Sequence, residues 1–301
     1  MKNKSPIFLN CFSRGGSNIL WNVFLSHPDV CSPILETLQI FGAGIRHASM
    51  AGYKIALLSR QPKLFDQWNL QERKSINPKT ERLIDRTFFQ WKMKTLQDGE
   101  MKFKFEGEIY AQQEIEIARL AAKNNNGLVF LSDILLEMYP QATFFGLVRH
   151  PLALYESHRR RDTPPSRSLE DFASFYNTMV SRMLADCEIH PGYHLVRFED
   201  LLADPGQQIP RLYEHAGLDP KLVKKMRFKA KPHMQKDGGY QTPYQEGHHY
   251  WFEPDQLHLI LDPGVNDYQI QRLHPAERET MLDQTSEVCM KLGYKVTGSE
   301  V

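Results

Sequence analysis

The chain has 301 residues, 37 basic and 36 acidic side chains, a formal net charge of +1 and 41% hydrophobic residues. That is enough apolar material for the core of one large α/β domain or two small ones. The balanced charge argues against a general nucleic-acid binder, which carries a basic excess, so any positive field has to be local.

Taken in chain order, Pro6-Ile7-Phe8-Leu9 opens a strand at about 6–12. It runs through Ser13-Arg14-Gly15-Gly16-Ser17-Asn18 into a helix at 17–27. A short strand at 30–33 and a helix at 36–50 follow. Strand, turn and helix repeating in this way predict a parallel sheet covered by helices. Residues 59–80 are polar, contain Pro62 and Pro78, and read mostly as loop. Helices are expected over Glu81–Gln97 and Glu106–Asn124, the second stopped by Asn124-Asn125-Asn126-Gly127.

Leu128-Val129-Phe130-Leu131 reads as a short buried strand, Asp133–Tyr139 as a helix and Phe144–Val148 as a core strand. Pro151 opens the next helix, where proline is tolerated because that N–H needs no helical partner. Thr163-Pro164-Pro165-Ser166 breaks the chain, and helix resumes at Leu169–Cys187. A strand at His194–Phe198 precedes a helix at Pro205–Ala216 that Gly217 ends. Residues 229–272 are loop-rich, and a last helix covers about Pro275 to Leu292. There is no internal repeat and no strong linker, so one domain over 1–301 is expected.

The four cysteines (Cys11, Cys31, Cys187, Cys289) form no C-x-x-C, which argues against zinc by that route. Cys11 lies in a strand pattern and reads as a small buried hydrophobe. No His/Asp/Glu spacing requires a metal. Without a signal-peptide core or an apolar run of membrane length, a soluble, cytoplasmic protein is expected.

Two strand-to-helix turns carry the chemistry. Such a turn aims backbone N–H groups and the positive end of a helix at one spot. In the first, glycines let the backbone approach an anion, Ser17 and Asn18 add donors, and Arg14 adds a fixed charge. In the second, Arg149 follows a buried strand and Ser157 lies on the next helix. Two such turns suggest a ligand with two separate anionic groups. Arg159, Arg160 and Arg161 add local positive charge, mostly as a solvated helix face.

On Arg14-Gly15-Gly16-Ser17-Asn18 and the Arg149/Ser157 pair, the chain resembles the sulfotransferase family. Ser26-His27-Pro28 and Val196-Arg197-Phe198-Glu199-Asp200-Leu201-Leu202 are similar to family landmarks. The resemblance covers residues 5–36 and about 123–218. It implies the sulfotransferase fold: α/β, with a P-loop-like central parallel sheet flanked by helices on both faces. It also implies 3′-phosphoadenosine 5′-phosphosulfate as cofactor and adenosine 3′,5′-bisphosphate as product.

By that resemblance Arg14, Gly15, Gly16, Ser17 and Asn18 hold the 5′-phosphate, and Arg149 and Ser157 the 3′-phosphate. Arg14 also stabilises the leaving oxygen. The loop departs from the family pattern in having Gly15 for Ser and Asn18 for the second Thr. Glu36, 22 residues after Arg14, matches the carboxylate base of some branches; alternatively it only favours a helix N-terminus. The cytosolic branch uses a His instead, but no Lys-Thr-His-like segment occurs, and past the Ser26-His27-Pro28 landmark His47 is the sole histidine before the second turn. Lys123 matches a lysine that stabilises the transferring sulfonate in some members; alternatively it is a solvated lysine at a helix end.

The family's C-terminal Arg-Lys-Gly element is absent, with Lys236-Asp237-Gly238-Gly239 a weak stand-in. Segments 40–120 and 226–275 match nothing in the family and are expected to wall the acceptor site. The acceptor is expected to be the hydroxyl of a carbohydrate or a small natural product, with no nucleic-acid partner. The competing readings are a nucleoside-triphosphate kinase and a non-catalytic protein that keeps the fold. The kinase needs G-x-x-x-x-G-K-[ST], which the first loop lacks.

Overall fold

The structure is a computed structural model, and it describes residues 3–33, 37, 76–161 and 167–295. Its strands and helices, in chain order, begin with β1 (Ile7–Cys11), α1 (Ser17–Leu25), β2 (Val30–Cys31) and α2 (Pro78–Met93). A hairpin of β3 (Phe103–Phe105) and β4 (Glu108–Ile109), then α3 (Gln112–Ile117) and β5 (Arg119–Asn125), lead to α4 (Ser132–Met138). Next come β6 (Thr143–Val148), α5 (Pro151–Arg161), α6 (Leu169–Ile189), β7 (Tyr193–Arg197), α7 (Phe198–Ala203) and α8 (Pro205–His215). The chain continues through β8 (Met226–Lys229), β9 (His233–Met234), β10 (Tyr240–Gln241), β11 (His249–Phe252), α9 (Val265–Ile270) and α10 (Pro275–Lys291).

Five strands form the central sheet in the order β2-β5-β1-β6-β7, and every neighbouring pair is parallel. Along β1 the side chains alternate between two cores. Phe8 and the following Phe12 join α2, α4, α5, α6 and α10 on one face. Ile7, Leu9 and Cys11 join α1, α7, α8 and β8 on the other. A sheet buried on both faces reads as a continuous apolar run, as Ile7-Phe8-Leu9 and Phe144-Phe145 do.

The stretch 106–124 is not one helix. Gly107, at φ +78°, turns the β3–β4 hairpin, and α3 stops at Ala118, whose backbone is extended. The chain then enters the sheet as β5, between β2 and β1. Ala121 and Ala122 favour a helix by propensity, yet both are fully buried in the sheet, where tertiary context decides. Asn126, at φ +54°, closes β5, and residues 126–131 wind into a 3₁₀ turn instead of a strand. A four-residue apolar run does not distinguish the two by periodicity. Helix α2 starts three residues earlier than expected because the Asn77 side chain accepts from the Lys79 and Thr80 N–H groups ahead of Pro78. The expected helix at 36–50 lies outside the described residues, apart from Thr37. Within 229–272 the hairpins β8/β11 and β9/β10 and helix α9 replace the expected loop.

Candidate active site

The first turn leaves β1 through Phe12, whose carbonyl accepts the Gly15 N–H at 3.1 Å. Arg14 is left-handed at φ +66° and Gly16 at φ +92°. A Cβ on Gly16 would stand 2.3 Å from the Phe198 ring, so glycine is required both for the dihedral and for the space. Gly16 caps α1 without a side-chain hydrogen bond, which leaves the first N–H groups of the helix to whatever lies in front of them. Asn126 fixes the loop from across the sheet: its Oδ1 accepts the Ser13 N–H (2.9 Å) and its Nδ2 donates to Ser13 Oγ (3.0 Å).

The second turn follows β6. Arg149 is buried at the sheet's C-terminal edge, where α/β folds bind ligands. Ser157 is buried on α5. The two turns meet: Arg149 Nη1 donates to the Arg14 carbonyl (2.8 Å), and Arg14 Nε donates to Ser157 Oγ (3.2 Å). Arg14 Nη2 also donates to Tyr240 Oη at 3.1 Å, tying the β9–β10 hairpin to the loop.

Lys123 lies on β5, not at a helix end. It is 3% exposed, and its Nζ donates to Asn18 Oδ1 (2.8 Å) 5.0 Å from the Trp21 ring centroid. The alternative of a solvated lysine at a helix end is therefore corrected: residues 119–125 form a buried strand where a helix over 106–124 is expected.

Arg14, Gly16, Ser17, Asn18, Lys123, Arg149 and Ser157 all line one cavity of about 480 Å³. Gly15 shapes the turn behind it: a Cβ there would press on Phe12 at 3.1 Å. Glu36 and His47 lie outside the described residues. The far wall comes from 226–275 and includes Phe228, Lys229, Lys231, Tyr240, Tyr250 and Gln269. Asn266 and Gln269 escape sequence reasoning, and Asn126 enters it only as part of a helix stop. Asn266 and Gln269 share an i, i+3 face, but that spacing means nothing until the side chain it faces is known.

His150, next to Arg149, donates its backbone N–H to Glu199 Oε1 (2.9 Å) and packs edge-on to Tyr294. Burial is the main cause that holds its imidazole down at about 4. The folded value lies below the unfolded value of about 6.5, so the unfolded chain takes the proton first. Its contribution is complete above pH about 6.5 and is lost as pH falls toward 4, by about 3 kcal/mol. Burial holds His249 at about 4 as well, adding in the same direction. Urea unfolding at about pH 7 and pH 4.5 is expected to show this loss, with a shallower fall for His150→Asn. Equal slopes for the two proteins would contradict it.

Among the described residues no helix is long and apolar enough to cross a membrane. Comparison with known proteins agrees with the geometry. The sulfotransferase domain of the Synechococcus PCC 7002 olefin synthase superposes with a TM-score of 0.53 at 21% identity, covering 98% of this chain and 97% of that one. At that identity the likeness speaks for the fold alone. In sequence, 129 residues are 29% identical to the omega-hydroxy-beta-dihydromenaquinone-9 sulfotransferases Stf3 of Mycobacterium bovis and Mycobacterium tuberculosis. That match spans 38% of this chain and 32% of those relatives, about a third of their length. The sequence model of the Sulfotransferase family matches residues 6–221, which contain both strand-to-helix turns. The chain belongs to the sulfotransferase family, a family of enzymes that move a sulfuryl group.

Proposed function

We propose that this enzyme moves a sulfuryl group from 3′-phosphoadenosine 5′-phosphosulfate to an acceptor hydroxyl by in-line displacement. The observation that carries this reading is the meeting of two cationic turns in one cavity, joined by the Arg149–Arg14 and Arg14–Ser157 hydrogen bonds. One turn suits each anionic end of such a donor. The residues fit the group: the lining includes Arg14, Lys123, Arg149, Lys229 and Lys231, and the volume falls in the usual range for small-molecule sites.

When bound, the donor supplies an activated sulfuryl group on a phosphate leaving group. Ser17, Asn18 and the N–H groups at the start of α1 would hold the 5′-phosphate, with Gly15 and Gly16 allowing the close approach. Arg14 would stabilise the negative charge that grows on the departing oxygen. Lys123 would face the transferring sulfonate. Arg149 and Ser157 would serve the 3′-phosphate. Glu36 would accept the acceptor's proton; its sequence position after the second strand is the support. We assign the whole chain to one cytoplasmic domain, with 40–120 and 226–275 contributing the walls on the acceptor side. The aromatic side chains of the second segment, Tyr244 and Tyr250 among them, suit a sugar or another small natural-product hydroxyl.

Calorimetry with adenosine 3′,5′-bisphosphate, beside ATP with Mg²⁺, tests the donor. The expected result is binding of the bisphosphate alone, lost in Arg149→Ala. Binding of ATP alone, or of neither, would sink the reading. Glu36→Gln is expected to lower turnover about 10²–10⁴-fold with donor binding intact.

A further inference from the structure

A buried arginine normally stands beside a carboxylate. Half-buried Arg182 does: its guanidinium meets Asp133 and Asp186 at 2.7 Å each. Arg149, 4% exposed, is held differently. Its Nε and Nη2 donate to Asn266 Oδ1 (2.8 and 2.6 Å), and Nη2 also donates to Gln269 Oε1 (2.5 Å). Nη1 donates to the Arg14 carbonyl, and the Phe198 ring lies 4.8 Å away. All of these acceptors are neutral. The carboxylate of this network, Glu199, stands one residue further back. It accepts from Asn266 Nδ2 and the His150 N–H through Oε1, and from Tyr294 Oη (2.7 Å) through Oε2.

Among the described residues, no ion pair within 4.0 Å includes Arg149. Burial brings its guanidinium down to about 10, so it is still charged at neutral pH. An amide oxygen aligns a guanidinium as a carboxylate does, but leaves the charge uncancelled. Both amides come from α9, whose i, i+3 spacing turns Asn266 and Gln269 to the same side. Gln269 and Arg149 both line the cavity.

We propose that Asn266 and Gln269 are positioning residues that lock Arg149 with neutral acceptors, so that its full charge is kept for the second phosphate of the donor. This rests on the donor reading above. A carboxylate at either position makes a better partner for Arg149 and a worse site for the anion.

Gln269→Glu is the direct test, because it changes charge and hardly shape. Thermal unfolding and calorimetric titration with adenosine 3′,5′-bisphosphate are measured at roughly 50 and 200 mM NaCl. The variant is expected to melt at the wild-type temperature or above it and to bind roughly ten- to a hundredfold more weakly. Its salt dependence should be shallower than that of wild type. Gln269→Met keeps the charge balance but frees one arm of the guanidinium, and is expected to bind roughly three- to tenfold more weakly than wild type with an unchanged salt dependence. A merely structural glutamine gives no such opposition between stability and affinity. If Gln269→Glu does not fold, the double variant Glu199→Gln with Asn266→Asp moves the existing carboxylate onto Arg149 without adding one. The same weakening is expected of it. Equal affinity in Gln269→Glu and Gln269→Met, or in the swap and wild type, overturns the proposal and leaves the donor reading standing. Failure of wild type to bind the bisphosphate overturns the donor reading itself, and this inference with it.

Discussion

Lys123→Met is expected to lower kcat about 10²–10³-fold while affinity for adenosine 3′,5′-bisphosphate stays within roughly threefold. The reasoning starts from the strand. Lys123 projects from the centre of the sheet beside the end of the first turn, where its Nζ reaches Asn18. That ammonium lies 5.0 Å from the centroid of the Trp21 ring, whose indole N–H donates to the Ala121 carbonyl at 3.3 Å. Methionine keeps an unbranched stem of similar length in this buried position and removes the charge. A fixed ammonium costs nothing to reorganise when charge moves between sulfonate and phosphate. The bisphosphate carries no sulfonate, so its binding reports the cavity without the reacting group. Steady-state kinetics and calorimetry on one preparation separate the two effects. A kcat within threefold of wild type would return Lys123 to a supporting role for Asn18.

Lys123 marks the boundary between what is legible in the sequence and what is not. β1 and β6 stand out because continuous apolar runs are bounded by turn residues, as in Phe144–Val148 before Arg149-His150-Pro151. Both strand-to-helix turns are readable for the same reason: Arg14, Gly15 and Gly16 in one, and Arg149 and Pro151 in the other, sit at a junction where local backbone chemistry dictates the residue types. β5 is hidden. Its Arg119-Leu120-Ala121-Ala122-Lys123 continues a helix by propensity, and only the place between β2 and β1 makes it a strand. The contacts that the 226–275 wall makes with the two turns are hidden for another reason. Tyr240, Asn266 and Gln269 act through residues more than 80 positions away, Arg14 and Arg149. No local pattern records a contact of that separation. The glutamine that touches Arg149 looks the same in sequence as one that faces water.

Arg14→Gly is expected to separate stability from activity more sharply than any other change in the first turn. Arg14 holds φ +66°, a region that costs a side-chain-bearing residue about 1–2 kcal/mol and glycine almost nothing. Glycine gives part of that back through the greater entropy of its unfolded chain. The side-chain hydrogen bonds to Ser157 and Tyr240 disappear, but the Arg14 carbonyl that accepts from Arg149 belongs to the backbone and remains. The two contributions nearly cancel, so unfolding free energy should stay within about 1 kcal/mol of wild type. Turnover should behave differently. In the proposed reaction Arg14 faces the oxygen on which negative charge develops, and loss of one such preorganised donor costs about 10²–10³-fold in kcat. Arg14→Lys restores a charge without the planar fork and, at φ +66°, without relief of strain. It is expected to recover part of the activity while melting no higher than wild type. Denaturant titration and initial-rate kinetics on the three proteins decide the matter. If Arg14→Gly loses stability and activity in parallel, Arg14 is a structural clamp between the two turns, and the charge that assists departure of the phosphate has to come from Lys123.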